Sequence, residues 1–261
     1  MKNQREEWYD ADRRVAITIV DVTDAVQALA RGHLCGPTSA HFLARACAEA
    51  ALLGAEMSEK DETVIVQKKC TGPLGGVTVE CTAQGTLRGY TEKKTLEAFD
   101  GMGAPDEKKV LGDTRLQVTR SVPGRIISQG ISNSIDGYLA GSLQRRAVIH
   151  TEAAVSDEVE ILGARGVMLE LLPDSRETLS VAIEKIRLSV SSRKILEQLG
   201  FPGAELKKSV PLSFACRCSP ERAVAMLSAL SAAERASLPE AIDITCHMCG
   251  RTFTVHPSDL K

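Results

Sequence analysis

Aromatic residues are scarce in this 261-residue chain: tryptophan, tyrosine and phenylalanine together make up 3%. Proteins that bind single-stranded nucleic acid need aromatic surfaces on which bases stack. The formal net charge is −2, so no overall positive field attracts polyanions. No apolar run reaches the roughly 20 residues that span a bilayer. We therefore expect neither a nucleic-acid partner nor a membrane-embedded segment.

The sequence also lacks familiar targeting and catalytic motifs. Its first residues, MKNQREEWYDADRR, do not contain the apolar segment of a secretory signal, so we expect a cytoplasmic location. We find no phosphate-cradling glycine loop, no Gly-x-Ser-x-Gly and no His-Glu-x-x-His, and we expect no enzymatic activity. The chain does contain eight cysteines. In a reducing compartment these indicate metal binding or redox chemistry rather than a disulfide framework.

The periodicity of the chain predicts an α+β fold. Hydrophobic residues make up 43% of the sequence, which is enough to bury a core. Helical spacing predicts one helix over 41–57, opened by Gly36 and Pro37, and another over 134–145. Short β-rich runs predict strands at 15–20, 63–67, 77–81, 86–90, 116–127, 147–151 and 166–172, and glycine turns separate the runs between 63 and 90. We expect residues 1–173 to form a mixed α/β domain with a β-sheet core.

Residues 174–210 form a separate predicted segment. Pro173 and Asp174 break the preceding pattern. Leu179, Ile183, Ile186 and Val190 then recur at helical spacing among charged residues, which predicts an amphipathic helix that must cover another surface. A second short helix should end at Gly200. We interpret this segment as a helical linker that packs on its neighbours.

The last 51 residues, 211–261, contain two tight pairs of cysteines. Cys216 and Cys218 are followed after 27 residues by Cys246 and Cys249. Four thiolates on two short loops suit one tetrahedrally coordinated Zn²⁺ in a structural site. A module this small buries too little apolar surface to be stable without a metal or another cross-link. Structural zinc can stabilise it, because its apparent binding energy, on the order of 10–16 kcal/mol, is also folding energy. We predict a C-terminal zinc-binding domain with these four cysteines as ligands.

Local signals agree with a compact module. Ser219, Pro220 and Glu221 are typical of a helix start, and 252–255 should form a strand. Gly250 can adopt the positive φ of a turn after the second cysteine pair, and His247 within that turn should point to solvent. The remaining cysteines fall on helix or strand patterns and should pack as small apolar groups outside the site: Cys35, Cys47, Cys70 and Cys81.

Thiolates are also the form of cysteine that oxidants attack, so a zinc–thiolate site can act as a redox trigger. Each pair is close enough to form its own disulfide, and a Cys216–Cys218 bond would close a very small loop. Spacing alone does not separate a trigger from a permanent structural site that mediates protein or nucleic-acid contacts. Nucleic-acid binding is disfavoured because basic and acidic residues in 211–261 balance: Arg217, Arg222, Arg235, Arg251 and Lys261 against Glu221, Glu234, Glu240, Asp243 and Asp259. A thiol–disulfide oxidoreductase is disfavoured because Cys246 lies between short strands, not at the start of a helix in a βαβ unit.

The order and spacing of these motifs resemble the redox-regulated chaperone family called heat-shock protein 33. The resemblance includes the four C-terminal cysteines and extends over most of the chain, through the segments 33–39, 72–80, 85–90 and 242–253. One motif differs: the family has a Ser-Glu-Gln run after a tyrosine, whereas Tyr138 is followed here by Ser142, Leu143 and Gln144. The sequence therefore resembles that of a divergent member of the heat-shock protein 33 family.

This resemblance implies a mechanism. The reduced, zinc-bound protein would be folded and inactive. Oxidation would form Cys216–Cys218 and Cys246–Cys249 disulfides, release zinc and unfold the C-terminal module. The linker would then lose its partner surface, and apolar area would become available to unfolding client proteins. Members of the family dimerise when active, so a homodimer is expected after oxidation.

Overall fold

A computed structural model describes residues 2–179 and 182–260. The strands are β1 (Gln4–Asp10), β2 (Val15–Asp21), β3 (Thr63–Cys70), β4 (Gly76–Thr82), β5 (Thr86–Thr91), β6 (Thr114–Val122), β7 (Arg125–Ser132), β8 (Arg146–Val155), β9 (Ile161–Leu171), β10 (Glu205–Pro211), β11 (Ser213–Phe214), β12 (Ile242–Thr245) and β13 (Thr252–Val255). Every predicted strand is present, and the predicted run 116–127 is divided between β6 and β7. The charged strand β1 and the linker strand β10 were not predicted.

The strands form three sheets. The five-stranded sheet has the order β10-β1-β2-β9-β8 and is antiparallel throughout. The six-stranded sheet has the order β11-β5-β4-β3-β6-β7, and its β11–β5 pair is parallel while the others are antiparallel. The third sheet is the β12–β13 hairpin of the C-terminal module. Since consecutive strands pair as meanders and helices are interspersed, the predicted α+β class is confirmed.

The helices are α1 (Thr23–His33), α2 (Pro37–Leu53), α3 (Glu107–Leu111), α4 (Ile135–Gly141), α5 (Ser192–Leu199), α6 (Pro220–Ser228) and α7 (Ala232–Ala236). The central one is α2, which begins with Gly36 as N-cap and Pro37 in the first turn. Its small, alanine-rich side chains are almost all buried, and it contacts strands of both large sheets. The main core cluster, which includes Val20, Leu52 and Val79, surrounds this helix.

Two predicted helices differ in extent from the prediction. The expected helix over 41–57 is α2, which begins and ends about four residues earlier. The expected helix over 134–145 is the shorter α4, with the Ser134 side chain accepting a hydrogen bond from Gly137 N at its start. It ends at Ser142, and Gln144 has a φ of 54°, a left-handed conformation that cannot continue a helix.

The predicted amphipathic helix of the linker is wrong. Ile183–Lys185 form a single 3₁₀ turn, and no helix follows until α5; residues 180 and 181 lie outside the described residues. Side chains from β8 and α5 pair with two N–H groups of the linker, since Glu152 accepts from Leu188 N and Gln198 accepts from Arg187 N. Such acceptors stabilise an irregular path that local periodicity does not reveal. The short second helix is confirmed as α5, which ends at Gly200 with φ 85°.

The apolar residues of the linker are nevertheless buried. Ile183 and Ile186 are buried, and Leu179 and Val190 pack against the same linker cluster. That cluster is completed by α5 and by one face of the five-stranded sheet, including Trp8, Ile17 and Leu169. The linker therefore covers the N-terminal sheet, and β10 extends this sheet by pairing with β1. Among the described residues, no helix combines the length and hydrophobicity that crossing a membrane requires.

Candidate metal centre

The four C-terminal cysteines converge in the structure. Their Sγ atoms all lie within 4.8 Å of one another, in an arrangement that could hold a metal ion. The Cys216 and Cys246 sulfurs are 3.7 Å apart, and those of Cys218 and Cys249 are 3.4 Å apart. Tetrahedral coordination with Zn–S bonds near 2.3 Å places sulfurs roughly 3.8 Å apart. The spacing and the all-sulfur donor set therefore fit one such ion.

Local structure explains why the two loops meet. Ser219 caps α6 by accepting a hydrogen bond from Arg222 N, with Pro220 in the first turn as predicted. The β12–β13 hairpin carries the second pair, and Gly250 turns the chain with φ 74° while its N–H donates to the Cys246 carbonyl at 2.9 Å. The predicted helix start, strand and positive-φ turn are confirmed.

The thiols differ in their electrostatic environment. Burial opposes ionisation of Cys216, but hydrogen bonds from the Cys218 backbone and from Arg88 outweigh it and lower its pKa to about 7. Burial and the neighbouring sulfurs raise the pKa of Cys249, and burial raises that of Cys218. A thiolate at Cys216 thus makes further ionisation of the cluster unfavourable unless a cation balances the charge.

A buried carboxylate holds the module on the six-stranded sheet. Glu80 on β4 is 4% exposed and accepts two hydrogen bonds from Arg88 on β5, at 2.9 and 2.6 Å. Arg217, which lies between the first two cysteines, donates to both Glu80 oxygens at 2.7 and 2.9 Å. Arg88 also reaches the Cys216 sulfur at 3.9 Å. We call Glu80, Arg88 and Arg217 the docking triad.

Backbone contacts join the second cysteine pair to the same region. Gly89 N on β5 donates to the Met248 carbonyl at 3.0 Å, and His33 Nε2 donates to the Gly89 carbonyl at 2.8 Å. Gly32 and Gly250 face each other so closely that a methyl group on Gly250 would overlap the Gly32 carbonyl oxygen. This close approach of two backbones requires glycine.

His247 is exposed, as predicted, but it is not free of the core. Its ring meets the Tyr90 ring edge to face, with centroids 4.4 Å apart. Sequence analysis missed this contact, the docking triad and His33. The only sequence signal for the triad was an arginine placed between two predicted ligands, which has no distinct pattern of its own.

The other four cysteines pack as predicted. Cys35, Cys47 and Cys81 are buried in the main core cluster, and Cys70 packs beside a smaller cluster that contains Leu74 and Val110. Burial raises the pKa of all four thiols, that of Cys81 to about 12. Protonated, buried thiols react slowly with oxidants.

These features define a class of protein: a two-sheet α+β domain carrying a docked C-terminal module with a Cys-x-Cys and Cys-x-x-Cys cluster. A family model described as "Hsp33 protein" matches residues 7–256, so the chain belongs to the Hsp33 protein family. It is 27% identical to the 33 kDa chaperonin of Geobacillus kaustophilus, over 92% of this chain and 90% of that one. It is 26% identical to a 33 kDa chaperonin of Thermus thermophilus, over 94% of this chain and 82% of that one.

A solved structure supports the fold. The 33 kDa chaperonin (heat shock protein 33 homolog) of Thermotoga maritima superposes with a TM-score of 0.86, covering 99% of this chain and 96% of that one. The two sequences are 19% identical, so this match supports the fold alone.

Proposed function

We propose that this protein is a redox-regulated holdase chaperone. Family membership and relatives named chaperonin support the chaperone role. The redox regulation is inferred from one observation: four sulfurs lie within 4.8 Å on loops that are themselves docked on the core. Loss of those sulfurs as ligands would therefore also affect the contacts by which the module is docked on the core.

In the reduced state, Cys216, Cys218, Cys246 and Cys249 would hold one Zn²⁺. The ion supplies positive charge that balances the thiolates and links the two loops. The domain scheme we propose is a core over 1–173, a linker over 174–210 and a zinc-binding module over 211–261. The linker in this scheme is not a continuous helix, but its apolar side chains are buried on the core as required for an inactive state.

Oxidation removes two electrons from each pair of zinc-bound thiolates. With hypochlorous acid, each pair would give a Cys216–Cys218 or Cys246–Cys249 disulfide, while the oxidant takes up one proton and is reduced to chloride and water. A disulfide sulfur no longer carries the charge that a zinc ligand needs. The module would then lose the metal cross-link that stabilises its small core.

Unfolding of the module would spread through its contacts with the core. The docking triad and the Gly89–Met248 hydrogen bond would be lost first. Strand β10 pairs with β1 at the edge of the five-stranded sheet, and the chain then passes through the buried Leu212 directly into β11. Loss of β11 thus removes the anchor at the C-terminal end of the linker. Unfolding client proteins would bind the apolar area that becomes exposed, and two activated copies would dimerise.

One experiment tests this function. Reduced, zinc-loaded protein is treated with oxidant at mildly raised temperature while a chromophoric chelator reports metal release. Suppression of aggregation of a chemically denatured model protein is measured in parallel, and disulfides are mapped by mass spectrometry. Cys216→Ser removes a ligand, so the activity of this variant should no longer depend on oxidant, whereas Cys70→Ser, outside the site, should respond to oxidant as the wild type does. Unchanged metal content after oxidation would instead indicate a static structural zinc module.

A further inference from the structure

The outer edge of β5 is covered along its length by the C-terminal part of the chain. Its inner edge pairs with β4. On the outer edge, Ser213 N donates to the Gly85 carbonyl at 3.0 Å and Ala215 N donates to the Leu87 carbonyl at 3.2 Å. Further along, Gly89 N donates to the Met248 carbonyl at 3.0 Å. Without residues 213–215 and 248, the Gly89 N–H and the Gly85 and Leu87 carbonyls on this edge would lose these partners, while the Gly89 carbonyl would keep its bond from His33.

Open edge strands bind other extended chains, and proteins commonly protect them with a covering segment. Here both parts of the cover adjoin the cysteine cluster. Ala215 directly precedes Cys216, and Met248 lies between Cys246 and Cys249. Both parts of the cover are therefore continuous with the two cysteine loops.

The covering segment also packs apolar side chains against the core beside the edge of β5. We call the position where Leu212 and Phe214 pack the apolar seat. Leu212 is buried in the main core cluster, and Phe214 packs against that cluster, while Ser213 between them is exposed. This alternation is that of a strand with one buried face. The seat therefore matches an extended segment with apolar side chains at every second position.

We propose that the β5 edge is a client-binding surface that accepts an extended, alternately apolar segment of an unfolding protein as an added strand. Main-chain hydrogen bonds to Leu87 and Gly89 supply binding that does not depend on client sequence, and the seat of Leu212 and Phe214 selects apolar side chains. In the reduced state the module occupies this surface. The proposal rests on the proposed function, because the surface opens only when the module unfolds.

A backbone-modified peptide tests the binding mode. The probe is a decapeptide of alternating valine and threonine with a lysine at each end, compared with the same peptide N-methylated at every valine and threonine. Both have the same side chains, but the second lacks these donors along both edges. Oxidised protein should bind the N-methylated peptide about tenfold or more weakly, as expected for the loss of several hydrogen bonds. Equal affinities would overturn the proposal, because they would show recognition through side chains alone.

Amide exchange locates the added strand. In protein labelled with ¹⁵N-glycine, Gly89 N–H should be protected when reduced, exchange rapidly after oxidation, and become protected again when the unmethylated peptide is added. Gly130 on β7, at the opposite edge of the same sheet, is the matched control and should not respond to the peptide. Peptide-induced protection at Gly130 without protection at Gly89 would contradict the proposal.

The two proposals fail differently. If oxidation neither releases metal nor produces suppression of aggregation, the proposed function fails. If oxidation does both but Gly89 stays exposed in the presence of peptide, only the β5 surface is wrong.

Discussion

Replacing Arg217 with alanine tests whether the docking triad holds the module on the core. Arg217 donates to both oxygens of Glu80, at 2.7 and 2.9 Å. The acceptor side chain is 6% exposed but that of Arg217 is 57% exposed, so solvent screens part of the interaction. Hydrogen bonds to charged groups contribute about 1.5–3 kcal/mol when sheltered, and we discount this to about 1 kcal/mol here. Glu80 keeps its bonds to Arg88 in the variant, so no buried charge is left unpaired.

A loss of about 1 kcal/mol shifts an undocking equilibrium roughly fivefold. In the reduced, metal-loaded protein, Gly89 N–H should therefore exchange about five times faster in Arg217→Ala, because its bond to Met248 breaks whenever the module undocks. The matched control is Arg251→Ala, which removes an exposed arginine beside the other cysteine pair. Metal content must be unchanged in both variants. If Arg217→Ala exchanges at the rate of wild type and of the control, the triad does not determine docking.

Three further outcomes are expected. Gly250→Ala should accelerate Gly89 exchange by roughly 5- to 30-fold, because the φ of 74° at Gly250 disfavours a side chain by about 1–2 kcal/mol. A methyl group there would also meet the Gly32 carbonyl. The control variant Gly203→Ala, where the added methyl group has open space around it, should not change the exchange rate. Burial and Arg45 lower the pKa of His41 to about 4, below its ordinary 6.5. The unfolded chain therefore takes up this proton first as the pH falls, and stability should decrease by up to about 3 kcal/mol between pH 6.5 and 4. Denaturant titrations should show this decrease in wild type and a flatter profile in His41→Gln. Chelation of the metal under reducing conditions should abolish amide protection in β12 and β13 while β3 stays protected, and equal protection before and after would show that the module folds without metal.

The elements that the sequence predicted are those whose information is local. Strand β2 carries a β-branched run, β4 and β5 are separated by a glycine turn, and the cysteine ligand set follows from spacing in two short loops. Strand β1 was missed because its central residues are charged. Arg5 is 1% exposed, yet it is paired with Glu7 and points its guanidinium towards the Ala51 carbonyl, a partner that no local pattern shows.

The linker shows the opposite error. Leu179, Ile183, Ile186 and Val190 do recur at helical spacing, but they are spaced equally well for a chain that follows the face of a sheet. The deciding interactions come from Glu152 and Gln198, which accept from backbone N–H groups that a helix would have used internally. Likewise, the docking triad joins β4, β5 and the first cysteine loop, and only the folded chain brings them together.

The placement of α2 between the two large sheets determines which parts of the chain could unfold without loss of the main core cluster. Among the described residues after β9, the main core cluster around α2 includes Leu212 and Phe214, whereas the linker cluster lies on the opposite face of the five-stranded sheet. If the linker and the C-terminal module were displaced, the linker cluster would be lost while most of the main core cluster stayed in place around α2. Under the proposed function, this arrangement would confine unfolding to the linker and the C-terminal module and leave the N-terminal domain folded.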